Sequence, residues 1–139
     1  MNLIRITFII FISVFMNLNA LAAPTHVTEF DISGQETVPT GITFNSNGTK
    51  MFIVGIDNTN GEEINEYSLS VAYDLASTVT HLEAFDISGS TGVPQDVAFN
   101  ANGTEVFVVS ANGEIFSWTL ATAYDVSNPT ANHDINLGG

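Results

Sequence analysis

The segment Asp57-Asn58-Thr59-Asn60-Gly61-Glu62-Glu63 carries a side-chain oxygen at every position except Gly61. Oxygen donors at this density suit a hard cation such as Ca²⁺, which takes carboxylates, amide oxygens and carbonyls. Asp57, Asn58, Asn60 and Glu62 are the candidate ligands. The helix-loop-helix calcium pattern does not fit, because its invariant glycine, set on Gly61, puts Ile56 at the first ligand position. The plainer reading is a long solvated hairpin loop made of turn-forming residues. Other chemistry is sparse. No Ser-His-Asp constellation can be assembled from His26, His81 and His133, no catalytic residue is assigned, and with no cysteine there is no thiolate ligand, thiol nucleophile or disulfide.

The elements that must hold these residues are set by an internal repeat. FDISGQETVPTGITFNSNGTKMFIV, residues 30–54, aligns without a gap on FDISGSTGVPQDVAFNANGTEVFVV, residues 85–109, with 14 of 25 positions identical. After a four-residue length difference, Ile64 to Leu69 matches Ile115 to Leu120, and Ala72-Tyr73-Asp74 matches Ala123-Tyr124-Asp125. A period near 50 residues with short apolar runs inside it signals a repeat architecture. Each copy reads as four short strands: Gly41 to Phe44, Met51 to Val54, Ile64 to Leu69 and His81 to Ile87. Their counterparts are Asp96 to Phe99, Val106 to Val109, Ile115 to Leu120 and Asn132 to Leu137. The dipeptides Asn47-Gly48 and Asn102-Gly103 are hairpin signals between the first two strands. Val27 to Ile32 reads as an extra strand of the fourth type. Beyond the first 22 residues no stretch has helical period, so the chain is all-β, built of four-stranded antiparallel units in tandem.

Both copies combine Pro-x-Gly/Asp-Ile/Val-x-Phe, Asn-Gly-Thr-x-Met/Val-Phe-Ile/Val-Val and a third strand bearing Tyr67 or Trp118. In this the chain resembles the YVTN-type, WD40-like repeats of bacterial β-propellers over about residues 27–139. The resemblance implies β-propeller blades in tandem, blade one at about 37–88 and blade two at about 92–137, followed by the start of a third. It departs where Asp96 replaces Gly41, and where Val-Gly-Ile and Val-Ser-Ala stand for Val-Thr-Asn. Members of such families are lactone-hydrolysing, quinone-dependent, sugar-binding or purely scaffolding, so the architecture alone assigns no activity.

In an up-and-down blade, the loop before strand one and the loop between strands two and three emerge at the same end. That end gathers Gln35, Glu36, Thr37, Thr40, Asp57, Asn58, Asn60, Glu62 and Glu63 from the first copy, and Gln95, Asp96, Asn112 and Glu114 from the second. This is the expected ligand-binding face, with Glu36, Asp57, Asn60, Glu62, Glu63, Asp96 and Glu114 as its charged and polar contacts. The three histidines fall on or beside fourth-type strands, away from it. Tyr67 and Trp118 occupy equivalent positions and read either as sugar platforms or as blade-to-blade packing.

Residues 1–22 read as a cleavable export signal: Arg5, an apolar run from Ile6 to Met16, then Ala20-Leu21-Ala22. That run is well short of the roughly 20 residues that span a bilayer. The exported chain is left with one base, Lys50, against 15 acids, a net charge of −14. Such a charge is repelled by nucleic acid and by anionic membranes. Propellers need about four to eight blades and repeat arrays about three units to close a core. Two blades therefore imply further blades, supplied by missing sequence of its own or by homo-oligomerisation. The expectation is an exported, secreted or periplasmic, non-enzymatic binding or scaffold module, a fragment of a larger propeller. The alternatives are a two-bladed carbohydrate-binding protein that closes a ring and one part of a lactonase- or dehydrogenase-type propeller enzyme.

Overall fold

Short apolar runs and alternating apolar positions fold most of the described residues into strands. The computed structural model describes residues 26–57 and 61–136, with side chains through residue 130. Among these residues there is no helix. Strands β1 (Val38–Phe44), β2 (Lys50–Ile56), β3 (Glu63–Leu69) and β4 (Val79–Asp86) form one sheet. Strands β5 (Pro94–Phe99), β6 (Glu105–Ser110), β7 (Glu114–Leu120) and β8 (Pro129–Asn136) form a second. Each sheet is an antiparallel meander in sequence order. The register is the same in both, including one irregularity at Pro39/Gly41 and Pro94/Asp96 and a second at Glu66/Tyr67 and Ser117/Trp118.

One expected strand is absent. Residues 26–32 are not a strand, although their sequence resembles the end of β4. Instead Phe30 and Ile32 pack on Met51, Ile53, Tyr67 and Leu69 of the first sheet. Their repeats Phe85 and Ile87 pack into the core of the second sheet. The Phe-Asp-Ile-Ser motif therefore pads the face of the sheet that follows it. Its aspartate closes a tight turn, since Asp31 and Asp86 each accept the amide of the serine two residues on, at 2.9 and 2.8 Å.

The connection between β1 and β2 is longer than the two-residue turn that Asn-Gly suggests. Only the glycines adopt positive φ, 73° at Gly48 and 72° at Gly103, and Asn45 and Asn100 accept the amides of Lys50 and Glu105 across the loop. Tyr73 and Tyr124, themselves left-handed at φ 58° and 56°, lie so close that a Cβ on either glycine would fall within 2.3 Å of the ring. Each tyrosine amide also donates to the glycine carbonyl, at 2.9 and 2.8 Å. The recurrence of Ala-Tyr-Asp is explained by this lid over the Asn-Gly turn.

The sheets stack face to face. Phe52, Val54 and Ile64 of the first sheet enter one core with Val97, Val106, Val108, Phe116, Trp118 and Leu120 of the second and Val126 of the loop after β7. Phe52 lies 4.4 Å from Phe99 between ring centroids, and Phe85 meets Trp118 edge-on at 5.5 Å. At Gly41 the leading strands approach closely: a Cβ there would stand 2.6 Å from the Asp96 Cα, so only glycine allows this approach. Thr40 Oγ1 donates to the Pro94 carbonyl at 2.8 Å alongside it.

Candidate functional site

The loop before β1 and the loop after β2 meet at one end of the first sheet. The backbone amides of Gln35 and Glu36 both donate to the Ile32 carbonyl at 2.9 Å, and this turn drops Glu36 onto the sheet. Gly55 makes room: a Cβ there would lie 2.6 Å from the Glu36 Cδ. The Thr37 hydroxyl lies 3.3 Å from both Asp57 Oδ1 and the Ile56 carbonyl, tying the two loops together. Glu36 is 1% exposed, and Asp57 is buried beside it.

Electrostatically this corner is unbalanced. Neither Glu36 carboxylate oxygen has a hydrogen-bond partner, and the same holds for the buried Asn65 Nδ2 and Tyr67 hydroxyl. Burial raises the Glu36 pKa from 4.5 to about 7. The Val38 amide pulls it down without closing a hydrogen bond, and the charges of Asp57, Glu63 and Glu62 push it up. Burial and then the Glu36 charge raise the Tyr67 hydroxyl to about 12. Burial also raises Glu63, with Asp86 and Asp57 adding to it and His81 opposing. His81 Nε2 sits 3.0 Å from Asn65 Oδ1, so this histidine serves the inner face of the sheet rather than its rim alone.

The second sheet builds the same turn with different chemistry. Ser90 and Thr91 amides donate to the Ile87 carbonyl, and Thr91 Oγ1 pairs with Ser110 Oγ at 2.8 Å, where the first sheet has Glu36 over Gly55. A satisfied hydroxyl pair thus replaces an unpartnered carboxylate. The substitutions at 36/91 and 55/110 change together within the repeat, a signal available from the aligned copies alone.

The expected ligand-binding face divides when placed on the fold. Glu36, Asp57, Glu62 and Glu63 form one acidic group at the end of the first sheet. Asp96 lies where β5 meets β1, its Oδ1 2.8 Å from where a Cβ on Gly41 would stand and accepting the Val97 amide at 2.9 Å, and it also lines a recess with Phe107, Val109 and Ile115. Glu114 is half-buried at the start of β7, opposite Asn136. Of the proposed Ca²⁺ ligands, Asp57 and Glu62 are described, while Asn58 and Asn60 lie outside the described residues. Among the described residues no three histidine, aspartate or glutamate side chains are grouped to hold a metal. Tyr67 and Trp118 are buried, each edge-on to a phenylalanine of the preceding Phe-Asp-Ile-Ser segment.

The function of Lys50 was not legible from charge counting. Its ammonium pairs with Glu66 Oε1 at 2.5 Å and donates to the Tyr124 carbonyl of the loop after β7 at 2.7 Å. Glu66 Oε2 accepts the Val126 amide at 3.0 Å. Compared with known protein families, curated proteins and solved structures, the chain matches none of them.

Proposed function

We propose that the chain is a pair of propeller-type blades and acts as an exported, non-enzymatic binding or scaffolding module whose outer sheet faces receive further protein. The observation that carries this is a reciprocity between repeat positions. Val97 is 3% exposed under the first sheet, whereas its counterpart Ile42 is 53% exposed, with no sheet laid on it among the described residues. Val54 is fully buried under the second sheet, whereas its counterpart Val109 is 36% exposed, with no sheet laid on it among the described residues. Each face is covered only where a neighbouring unit lies on it, so the two outer faces are half-made interfaces. Tandem four-stranded meanders stacked through their leading strands support the blade reading. The sugar-binding reading draws no support from Tyr67 and Trp118, because both rings lie inside packed cores.

A chain without cysteine lends itself to a direct test. Single variants Ile42→Cys, Val54→Cys, Val97→Cys and Val109→Cys, in the full chain, are probed with a thiol reagent under native conditions. The cysteines at 42 and 109 are expected to react at least tenfold faster than those at 54 and 97. Equal rates at 54 and 109 would sink the stacked-blade reading.

A further inference from the structure

We propose that the corner where the loop before β1 meets the loop after β2 is a cation site, in which Glu36 and Asp57 hold one hard divalent cation of the Ca²⁺ type with neutral oxygens of Thr37 and Val38 beside them. The site goes beyond the blade reading and does not depend on it.

Glu36 carries the inference. Its side chain is 1% exposed, and neither carboxylate oxygen meets a hydrogen-bond donor. A carboxylate taken out of water is unfavourable unless a counter-charge or a metal ion answers it. What surrounds this one is more oxygen. Its Oε1 lies 2.8 Å from the point that a Gly55 Cβ would take, and the Val38 carbonyl crowds the same point. Of the neighbouring carboxylates, buried Asp57 acts on Glu36 most strongly, and Glu63 and Glu62 act more weakly. The Thr37 hydroxyl holds Asp57 in place at 3.3 Å. The Tyr67 hydroxyl, also buried without a partner, feels the Glu36 charge.

No basic side chain answers this charge. Lys50 is the one lysine or arginine among the described residues, and it is committed to Glu66 and the Tyr124 carbonyl. His81 eases Glu63 but not Glu36.

The second copy of the repeat shows the same corner without a need for an ion. Thr91 stands for Glu36, Ser110 for Gly55 and Asn112 for Asp57, and the Thr91 and Ser110 hydroxyls satisfy each other at 2.8 Å. The chain between Val54 and Ile64 is also four residues longer than between Val109 and Ile115. The buried acid, the glycine that admits it and the second carboxylate thus occur together in one copy and are missing together from the other. Read as packing alone, the first copy carries an unsatisfied charge where the second has a satisfied pair. With a cation, it carries two carboxylates whose joint charge of −2 matches a divalent ion. Oxygen donors without nitrogen or sulfur favour Ca²⁺-like ions over transition metals.

The test is a titration of the full chain, stripped with chelator, with CaCl₂ at pH 7.5 and constant ionic strength, read by calorimetry and by melting temperature. One equivalent of Ca²⁺ is expected to bind. At 10 mM it should raise the melting temperature by about 5 °C, as mass action gives for about millimolar affinity in a domain of this size. Glu36→Gln and Asp57→Asn should each weaken binding at least tenfold, while Glu105→Gln on the second sheet leaves it unchanged. In chelator, Glu36→Gln should melt no lower than the unaltered chain, which separates a ligand from a packing residue. Absence of Ca²⁺ binding overturns the site. So does a Ca²⁺ response that Glu36→Gln keeps in full, which would report screening of the acidic surface or a site in the hairpin loop alone.

Discussion

Lys50 and Glu66 face each other across β2 and β3 at 2.5 Å and together reach the loop after β7, so an ion pair within one sheet is also the clamp between two. Glu66 is almost wholly buried, and its second oxygen is taken by the Val126 amide. Removing only the base strands a buried carboxylate. Lys50→Met is therefore expected to destabilise the fold by about 2–4 kcal/mol in urea unfolding, near the cost of breaking a buried pair. Lys50→Met/Glu66→Leu removes both charges and should cost less than Lys50→Met alone. A double variant worse than the single one would show that the pair contributes by net attraction rather than by mutual neutralisation.

The close backbone approach of β1 to β5 depends on one missing methyl group. Gly41→Ala puts a Cβ 2.6 Å from the Asp96 Cα and 3.0 Å from Val54 Cγ1, so β1 and β5 must separate. Overpacking of this kind costs about 1–3 kcal/mol. Because the clash lies between the sheets, Trp118 fluorescence, which reports the shared core, should shift along with stability. Gly34→Ala, which has open space around it, is the control and should leave both unchanged.

Glu36 makes stability depend on pH in the direction opposite to most carboxylates. Its folded pKa, about 7, lies above the ordinary 4.5, so the folded state holds the proton more tightly than the unfolded chain. Its stabilising effect is complete below pH 4.5, declines between 4.5 and 7, and is gone above 7. Glu36→Gln keeps the shape without the charge. It should leave stability near pH 4.5 unchanged and raise it above pH 7 by about 1–2 kcal/mol, less than the full shift implies because the neighbouring carboxylates are screened by solvent. A variant that tracks the unaltered chain at every pH would remove Glu36 from the acid-stabilised group.

The strand order was readable from the sequence because the repeat fixes it twice over: β2 and β6 are apolar runs, and Asn-Gly turns precede both. What surrounds each strand was not readable. A continuous apolar run predicts a strand buried on both faces for Met51 to Val54 and for Val106 to Val109 alike, and the first is so buried. The equally apolar run Val106 to Val109 alternates, with Val106 and Val108 buried and Val109 exposed, because none of the described residues covers its far side. Local pattern records what a residue can bury, while the neighbouring sheet decides whether it is buried. Residues 26–32 show the same limit from the other side, since a strand-like sequence without a partner strand becomes padding. Glu36 was placed on the expected ligand face by loop topology, but its burial over Gly55 needed the third dimension. Lys50 counted only as a lone charge until its partners across the sheets were seen.

Phe52 and Phe107 test that lesson on a single side chain in two settings. They are identical residues at equivalent repeat positions, with the same strand type and the same cross-strand register. Phe52 is fully buried and packs on Phe99, whereas Phe107 is half-exposed at the recess. Phe52→Ala should cost about 3–5 kcal/mol, as for a closed core site. Phe107→Ala should cost less, about 1–2 kcal/mol, because part of what it removes already faces water. Chemical denaturation of the two variants measures the difference directly. Equal losses would mean that the outer face of the second sheet is covered in solution, and the Val109→Cys labelling rate would have to be slow as well.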